Sequence, residues 1–269
     1  MRRTCFALLG SLPALFAGLA AARAEQVEVP VDLELVIAVD VSRSMDEEEF
    51  LLQRSGYVEA IRDPSFIRAA TSGREGRIAL IYVEWSGLSS QKIVVPWRPI
   101  DGVGAAEGFA AALEAEPPVS GRGTSISAAI EFAARLFDRN EFAGERRVVD
   151  ISGDGPNNYG PPVAEARDHA VAREIVINGL PILIRPSPIV ADIVSYYSDC
   201  VIGGPGAFVL PLRSVESFAV AIRQKLILEV AARESMAIIP VATHPPADCL
   251  AGERARELYT DPYFPGLDR

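Results

Sequence analysis

Residues 33–39, LELVIAV, form a nearly unbroken apolar run in which Glu34 is the only charge. A strand on a half-exposed sheet alternates polar and apolar residues, whereas a continuous apolar strand must be covered on both faces. Helices packed on the two sides of a parallel sheet supply that cover. This one segment therefore points to an α/β chain in which it is a central strand.

The rest of the chain is legible in the same terms. Residues 46–61 place Phe50, Leu51, Tyr57, Val58 and Ile61 as the apolar set of an amphipathic helix, which Asp63-Pro64 ends. Residues 77–85 (RIALIYVEW) and 91–97 (QKIVVPW) are strands close enough to pair as a hairpin, and Pro96 sends the second to a sheet edge. Helices are expected over 105–115, 125–137, 163–173, 189–197 and 215–232, and strands over 147–151, 175–184 and 207–212. The expected fold is α/β, a mostly parallel sheet with helices on both faces and one antiparallel edge strand. After Pro240 the chain is Pro-rich and aperiodic, and reads as an extension wrapped on the domain rather than a second one.

The first residues read as processing signal, not fold. Arg2 and Arg3 precede an apolar stretch, Phe6 to Ala22, and Ala22-Arg23-Ala24 fits a cleavage site. Pro13 and Gly18 interrupt the stretch, which falls short of the roughly 20 residues a membrane span needs. The expected organisation is a signal peptide at 1–24, one domain at 25–232 and the C-terminal extension at 233–269, in a protein exported to the periplasm or beyond the cell. Loss of Arg2, Arg3 and Arg23, the leader's charged residues, takes the formal net charge from −10 to −13. Such acidity excludes nucleic acid and anionic membrane surfaces as natural partners, because phosphate contacts require Lys and Arg. No later segment is long and apolar enough to be an integral span. Two cysteines remain, Cys200 and Cys249, and in an oxidising compartment a single pair reads as a disulfide.

Sheets of this kind bind ligands at the carboxyl ends of their strands. Three segments should converge there: Asp40-x-Ser42-x-Ser44 after the first strand, Thr124 in GRGTS at the mouth of a helix, and Asp154 in SGDG after the strand 147–151. Two carboxylates and three hydroxyls make an all-oxygen set suited to a hard divalent cation, Mg²⁺ first, with Mn²⁺ or Ca²⁺ as alternatives. Neutral hydroxyls leave the ion electrophilic, with a position open to water or to a partner's carboxylate.

Asp40-Val41-Ser42-Arg43-Ser44, Thr124 and Asp154, in this order, resemble the metal-ion-dependent adhesion site of the von Willebrand factor A domain. The segments GRGTSISAAI, SGDGPNN, INGLPI and VIGGPGAFV are similar to those of a bacterial exported group catalogued as domain of unknown function 1194. The resemblance covers about residues 31–232 and implies a doubly wound, Rossmann-like sheet with one antiparallel edge strand. It implies that Ser42, Ser44 and Thr124 bind the ion directly, and Asp40 and Asp154 directly or through water. Arg43 departs from the pattern, standing where many members have Gly. With Asn157, Asn158 and Tyr159 beyond Asp154, it is a candidate for the ligand rim.

Competing readings are weaker. Ser44-x-x-Glu47 fits a capping box, and Glu47, Glu48 and Glu49 suit the positive end of a helix dipole, but neither accounts for Asp40 or Ser42. Thr124 and Ser125 could serve as N-caps. A nucleophilic serine needs an elbow and a histidine; there is no G-x-S-x-G, and His169 and His244 follow no strand end. The sequence thus leads to a non-enzymatic binding module that holds a divalent cation and uses it to bind a protein or other ligand presenting a carboxylate. A metal-assisted hydrolase at the same site would need a further general base. A scaffold with a vestigial site is the remaining alternative.

Overall fold

The computed structural model describes residues 28–43, 47–117, 119–231 and 246–260. The leader at 1–24, Ser44 and His244 lie outside them, as do the side chains of Glu47, Glu48 and Glu49.

The chain runs β1 (Val29–Val31), β2 (Glu34–Asp40), α1 (Glu47–Arg62), α2 (Pro64–Ala70), β3 (Ile78–Trp85), β4 (Gln91–Ile100), α3 (Val103–Ala115) and α4 (Ile126–Leu136). It continues with β5 (Phe142–Gly144), β6 (Arg147–Gly153), α5 (Val163–Val171), β7 (Ile175–Pro181), α6 (Ile193–Tyr196), α7 (Phe218–Ala231) and α8 (Ala251–Thr260). The main sheet has the order β4-β3-β2-β6-β7. β2 pairs in parallel with both β3 and β6, β6 with β7, and only β4 runs antiparallel, on β3. Every residue of β2 is buried, as its composition requires.

The side-chain period of a strand sorts β2 between two cores. Leu35, Ile37 and Val39 face Tyr57, Ile61, Phe109, Phe218, Ile222 and Leu226 of α1, α3 and α7. Val36 and Ala38 face Ile126, Ile130, Ala133, Ala166, Tyr196 and Tyr197 on the opposite side. Each fully buried aliphatic side chain contributes about 1.5–3 kcal/mol, so the sheet is held from both faces. Glu34, the charge at the start of β2, is satisfied: it accepts from Asn140 Nδ2 at 2.7 Å and from the Gly144 amide at 2.9 Å.

The chain departs from expectation at several elements. Asp63 ends α1 but also caps α2, accepting from the Ser65 amide at 2.7 Å, with Pro64 at the first helical position. The short parallel pair β1–β5 has too few residues to show a period. Residues 207–212 lie along β7 without forming a continuous strand. Gly179 donates to the Phe208 carbonyl and accepts from Leu210, and Leu212 donates to the Pro181 carbonyl. Pro181 has no N–H to extend that ladder. The helix expected at 189–197 is reduced to α6, which passes into a π-helical turn, Tyr197–Val201. The tail is not wholly aperiodic, since it contains α8. Cys200 and Cys249 are joined by a disulfide with Cα atoms 5.4 Å apart. Among the described residues no helix is long and apolar enough to cross a membrane.

Candidate metal centre

β2 and β6 are adjacent parallel strands, so their carboxyl ends emerge side by side. Asp40 is the last residue of β2, and Asp154 follows the last residue of β6. Asp40 is fully buried. Its Oδ1 accepts from the Ser42 backbone amide at 2.7 Å, which turns the chain sharply after the strand. Its Oδ2 has no hydrogen-bond partner. Burial first, and the Asp154 carboxylate second, push the Asp40 carboxyl well above the usual carboxylate range, against opposing hydrogen bonds from Ser42. A second acid thus stands beside a desolvated one.

The GRGTS loop is stitched to the loop after β2. The Gly121 amide donates to the Val41 carbonyl at 2.9 Å, and the Arg43 amide to the Gly121 carbonyl at 3.0 Å. Gly123 has φ +78°, a left-handed conformation, and a Cβ there would sit 2.7 Å from the Tyr159 ring. Ser42 is 3% and Thr124 5% exposed, so both hydroxyl-bearing residues are buried. Ser125 does the capping of α4, accepting from the Ala128 amide at 3.3 Å, which separates the cap from Thr124.

The loop after Asp154 closes the third side. The Asn158 amide donates to the Thr124 carbonyl at 2.9 Å, and Asn158 Oδ1 accepts from the Thr124 amide at 2.9 Å. Gly153, which precedes Asp154, is forced to be small: a Cβ there would lie 2.7 Å from the Tyr197 hydroxyl and 3.0 Å from Asp40 Oδ2. The structure therefore brings together Asp40, Ser42, Thr124 and Asp154, while Ser44 lies outside the described residues.

The rim expectation needs correction. Asn157 is fully buried. Its Oδ1 accepts from the Ser127 amide and hydroxyl, and its Nδ2 donates to the Pro161 carbonyl and to Glu253 Oε1. It holds the loop together rather than facing a ligand. Asn158 spends its amide and Oδ1 on Thr124. Arg43 and Tyr159 are exposed, and the Arg256 guanidinium lies 3.8 Å over the Tyr159 ring. His169 is an exposed α5 side chain beside Glu131. Sequence reasoning missed Tyr197, Glu253 and Arg256; no spacing rule links them to the site.

Among the described residues no three His, Cys, Asp or Glu side chains cluster as a metal site. Any ion here would rest on two carboxylates supplemented by hydroxyls. That donor set fits a hard cation, and the unpartnered Asp40 Oδ2 beside a second carboxylate is the environment a cation would relieve.

The doubly wound sheet with one antiparallel edge strand is similar in fold to von Willebrand factor A proteins. The chain belongs to the family described as protein of unknown function (DUF1194), which matches residues 30–234. No curated protein matches it. Proximal thread matrix protein 1 of the mussel byssus, solved with a zinc-occupied MIDAS motif, is 16% identical with a TM-score of 0.53, over 76% of this chain and 49% of that one. A von Willebrand factor type A protein from Catenulispora acidiphila is 16% identical with a TM-score of 0.52, over 74% and 43%. The pilus adhesin SpaC of Lactobacillus rhamnosus GG is 13% identical with a TM-score of 0.56, over 75% and 30%. The chain spans half or less of the length of each, and the likeness is one of fold.

Proposed function

We propose that this protein is an exported, non-enzymatic binding module. It holds a divalent cation through Asp40, Ser42, Ser44, Thr124 and Asp154, and uses that cation to bind an acidic group on a partner. The observation that carries the reading is Asp40 Oδ2, a buried acceptor with no partner set against a second carboxylate. A buried carboxylate beside a second one is costly unless a positive charge joins it. The oxygen donors favour Mg²⁺, with Mn²⁺ or Ca²⁺ as substitutes.

The bound ion would supply a Lewis-acidic position open to an external carboxylate. It also reconciles the chain's acidity with an acidic ligand, because the ion reverses the local sign of charge. Arg43 and Tyr159 would border the bound group. The fold neighbours fit this reading: one is an adhesin, and another is a matrix protein whose MIDAS motif holds zinc. Export to the periplasm or beyond accords with the leader-like first residues and with the disulfide.

The test is calorimetry with Mg²⁺ and Mn²⁺ on the wild type and on Asp40→Ala. Binding by the wild type that the variant loses is the expected result. Equal heats from both proteins would refute the reading.

A further inference from the structure

A series of contacts ties the ion site to the C-terminal segment. Tyr197 is fully buried and its hydroxyl has no hydrogen-bond partner. That hydroxyl and Asp40 Oδ2, likewise without a partner, flank the same face of Gly153. The neighbouring Tyr196 hydroxyl accepts from the Asn157 amide at 3.1 Å, on the loop that follows Asp154. Cys200, in the same π-helical turn, is bonded to Cys249, and the Ala247 amide donates to Asp199 Oδ2 at 2.8 Å.

The segment then returns to the site. Glu253 of α8 accepts from Asn157 Nδ2 at 2.7 Å. Gly252 packs directly on the Asn157 carbonyl, where a Cβ would collide. Asn157 in turn holds Ser127 at the start of α4, and Asn158 holds Thr124. The contacts run from Asp154 through Asn157, Glu253, Cys249 and Cys200 to Tyr197, whose hydroxyl meets Asp40 Oδ2 at Gly153, with the disulfide as the one covalent crosslink. π-Helical turns are rare and concentrate at functional sites.

We propose that Tyr197 and Glu253 are positioning residues of the ion site, one orienting Asp40 and the other the Asn157–Asn158 loop, coupled through the Cys200–Cys249 bridge. The inference rests on the ion-binding reading above. Tyr197 has a hydroxyl proton to give and Asp40 Oδ2 a lone pair to receive it. Neither atom has a partner in the structure; a hydrogen bond formed between them when an ion is held would fix the carboxylate's orientation, as outer-shell donors do for metal-bound carboxylates. Glu253 needs only its acceptor oxygen, so Gln should replace it and Ala should not.

The experiment is Mn²⁺ titration of the full chain, followed by calorimetry and by the water-proton relaxation of the bound ion. Tyr197→Phe, Glu253→Ala, Glu253→Gln and the Cys200→Ser/Cys249→Ser pair are compared with the wild type. Tyr197→Phe, Glu253→Ala and the serine pair should bind roughly 10-fold more weakly or worse. Their relaxation per bound ion should rise as water replaces a displaced protein oxygen. Glu253→Gln should match the wild type in both. A purely structural loss would leave the relaxation of the bound ion unchanged. Wild-type affinity and relaxation in both Tyr197→Phe and Glu253→Ala would overturn the inference alone. A wild type that takes up no Mn²⁺ would overturn the ion reading beneath it.

Discussion

Replacing Asp40 with asparagine should stabilise the ion-free protein while abolishing its response to Mg²⁺. The side chain is fully buried, and Asp154 raises the cost of its charge further. Asparagine keeps an acceptor for the Ser42 amide, which lies 2.7 Å from Oδ1, and places a neutral donor where Oδ2 has no partner. Relief of an unpaired buried polar group is worth about 1–3 kcal/mol. For a domain of this size that raises the melting midpoint by roughly 2–12 °C. The wild type should gain about 2.7 kcal/mol at an ion concentration near 100 times Kd, or roughly 5–11 °C. Thermal melts of both proteins, with EDTA and with Mg²⁺, read all four values. An Asp40→Asn variant that melts below the ion-free wild type, or whose midpoint still climbs with Mg²⁺, would refute the argument.

Other outcomes follow from the rest of the structure. Lys225 Nζ is buried between Asp150 Oδ1 at 2.6 Å and Glu229 Oε1 at 2.5 Å; Lys225→Met should cost about 3–5 kcal/mol in denaturant melts by stranding both acids. Burial pushes the Glu229 carboxyl up to about 7, against Lys225, from an ordinary 4.5. Between those values the folded chain keeps a proton that the unfolded chain has released. Stability should therefore fall as pH rises across that window, and Glu229→Gln should flatten the slope in melts over the same range. Gly153→Ala drives a methyl between the Tyr197 hydroxyl and Asp40 Oδ2; it should cost about 1–3 kcal/mol and abolish Mn²⁺ uptake by calorimetry. The disulfide spans a sequence separation of 49, for which chain-entropy arguments give about 4 kcal/mol, so reduction should shift a urea melt by that amount.

The fold was legible because burial on both faces leaves a simple trace. LELVIAV could only be a central strand, and it is, flanked by β3 and β6. Pro96 sent β4 to the edge, where it lies antiparallel. Expectation failed where a local pattern competed with a tertiary one. Residues 207–212 look like a strand, but Pro181 of β7 interrupts the ladder that would make them one. Asn157 looks like a loop-tip residue, yet it is buried because α8 covers it.

Asp40, Ser42 and Asp154 stood out as candidate donors in the sequence because they fall just past strand ends, which can be read locally, and Thr124 because it stands at the mouth of a helix. Their convergence is set by the parallel pairing of β2 with β6 and by the backbone bonds that lace the 41–43, 121–124 and 154–159 loops together. What tertiary structure alone decided is the surrounding wall. Tyr197 and Glu253 reach the site from segments more than forty residues apart in sequence, joined by the Cys200–Cys249 bridge. No periodicity encodes such a meeting, because it depends on how the π-helical turn and α8 pack against a loop, and packing of distant segments leaves no local mark in the chain.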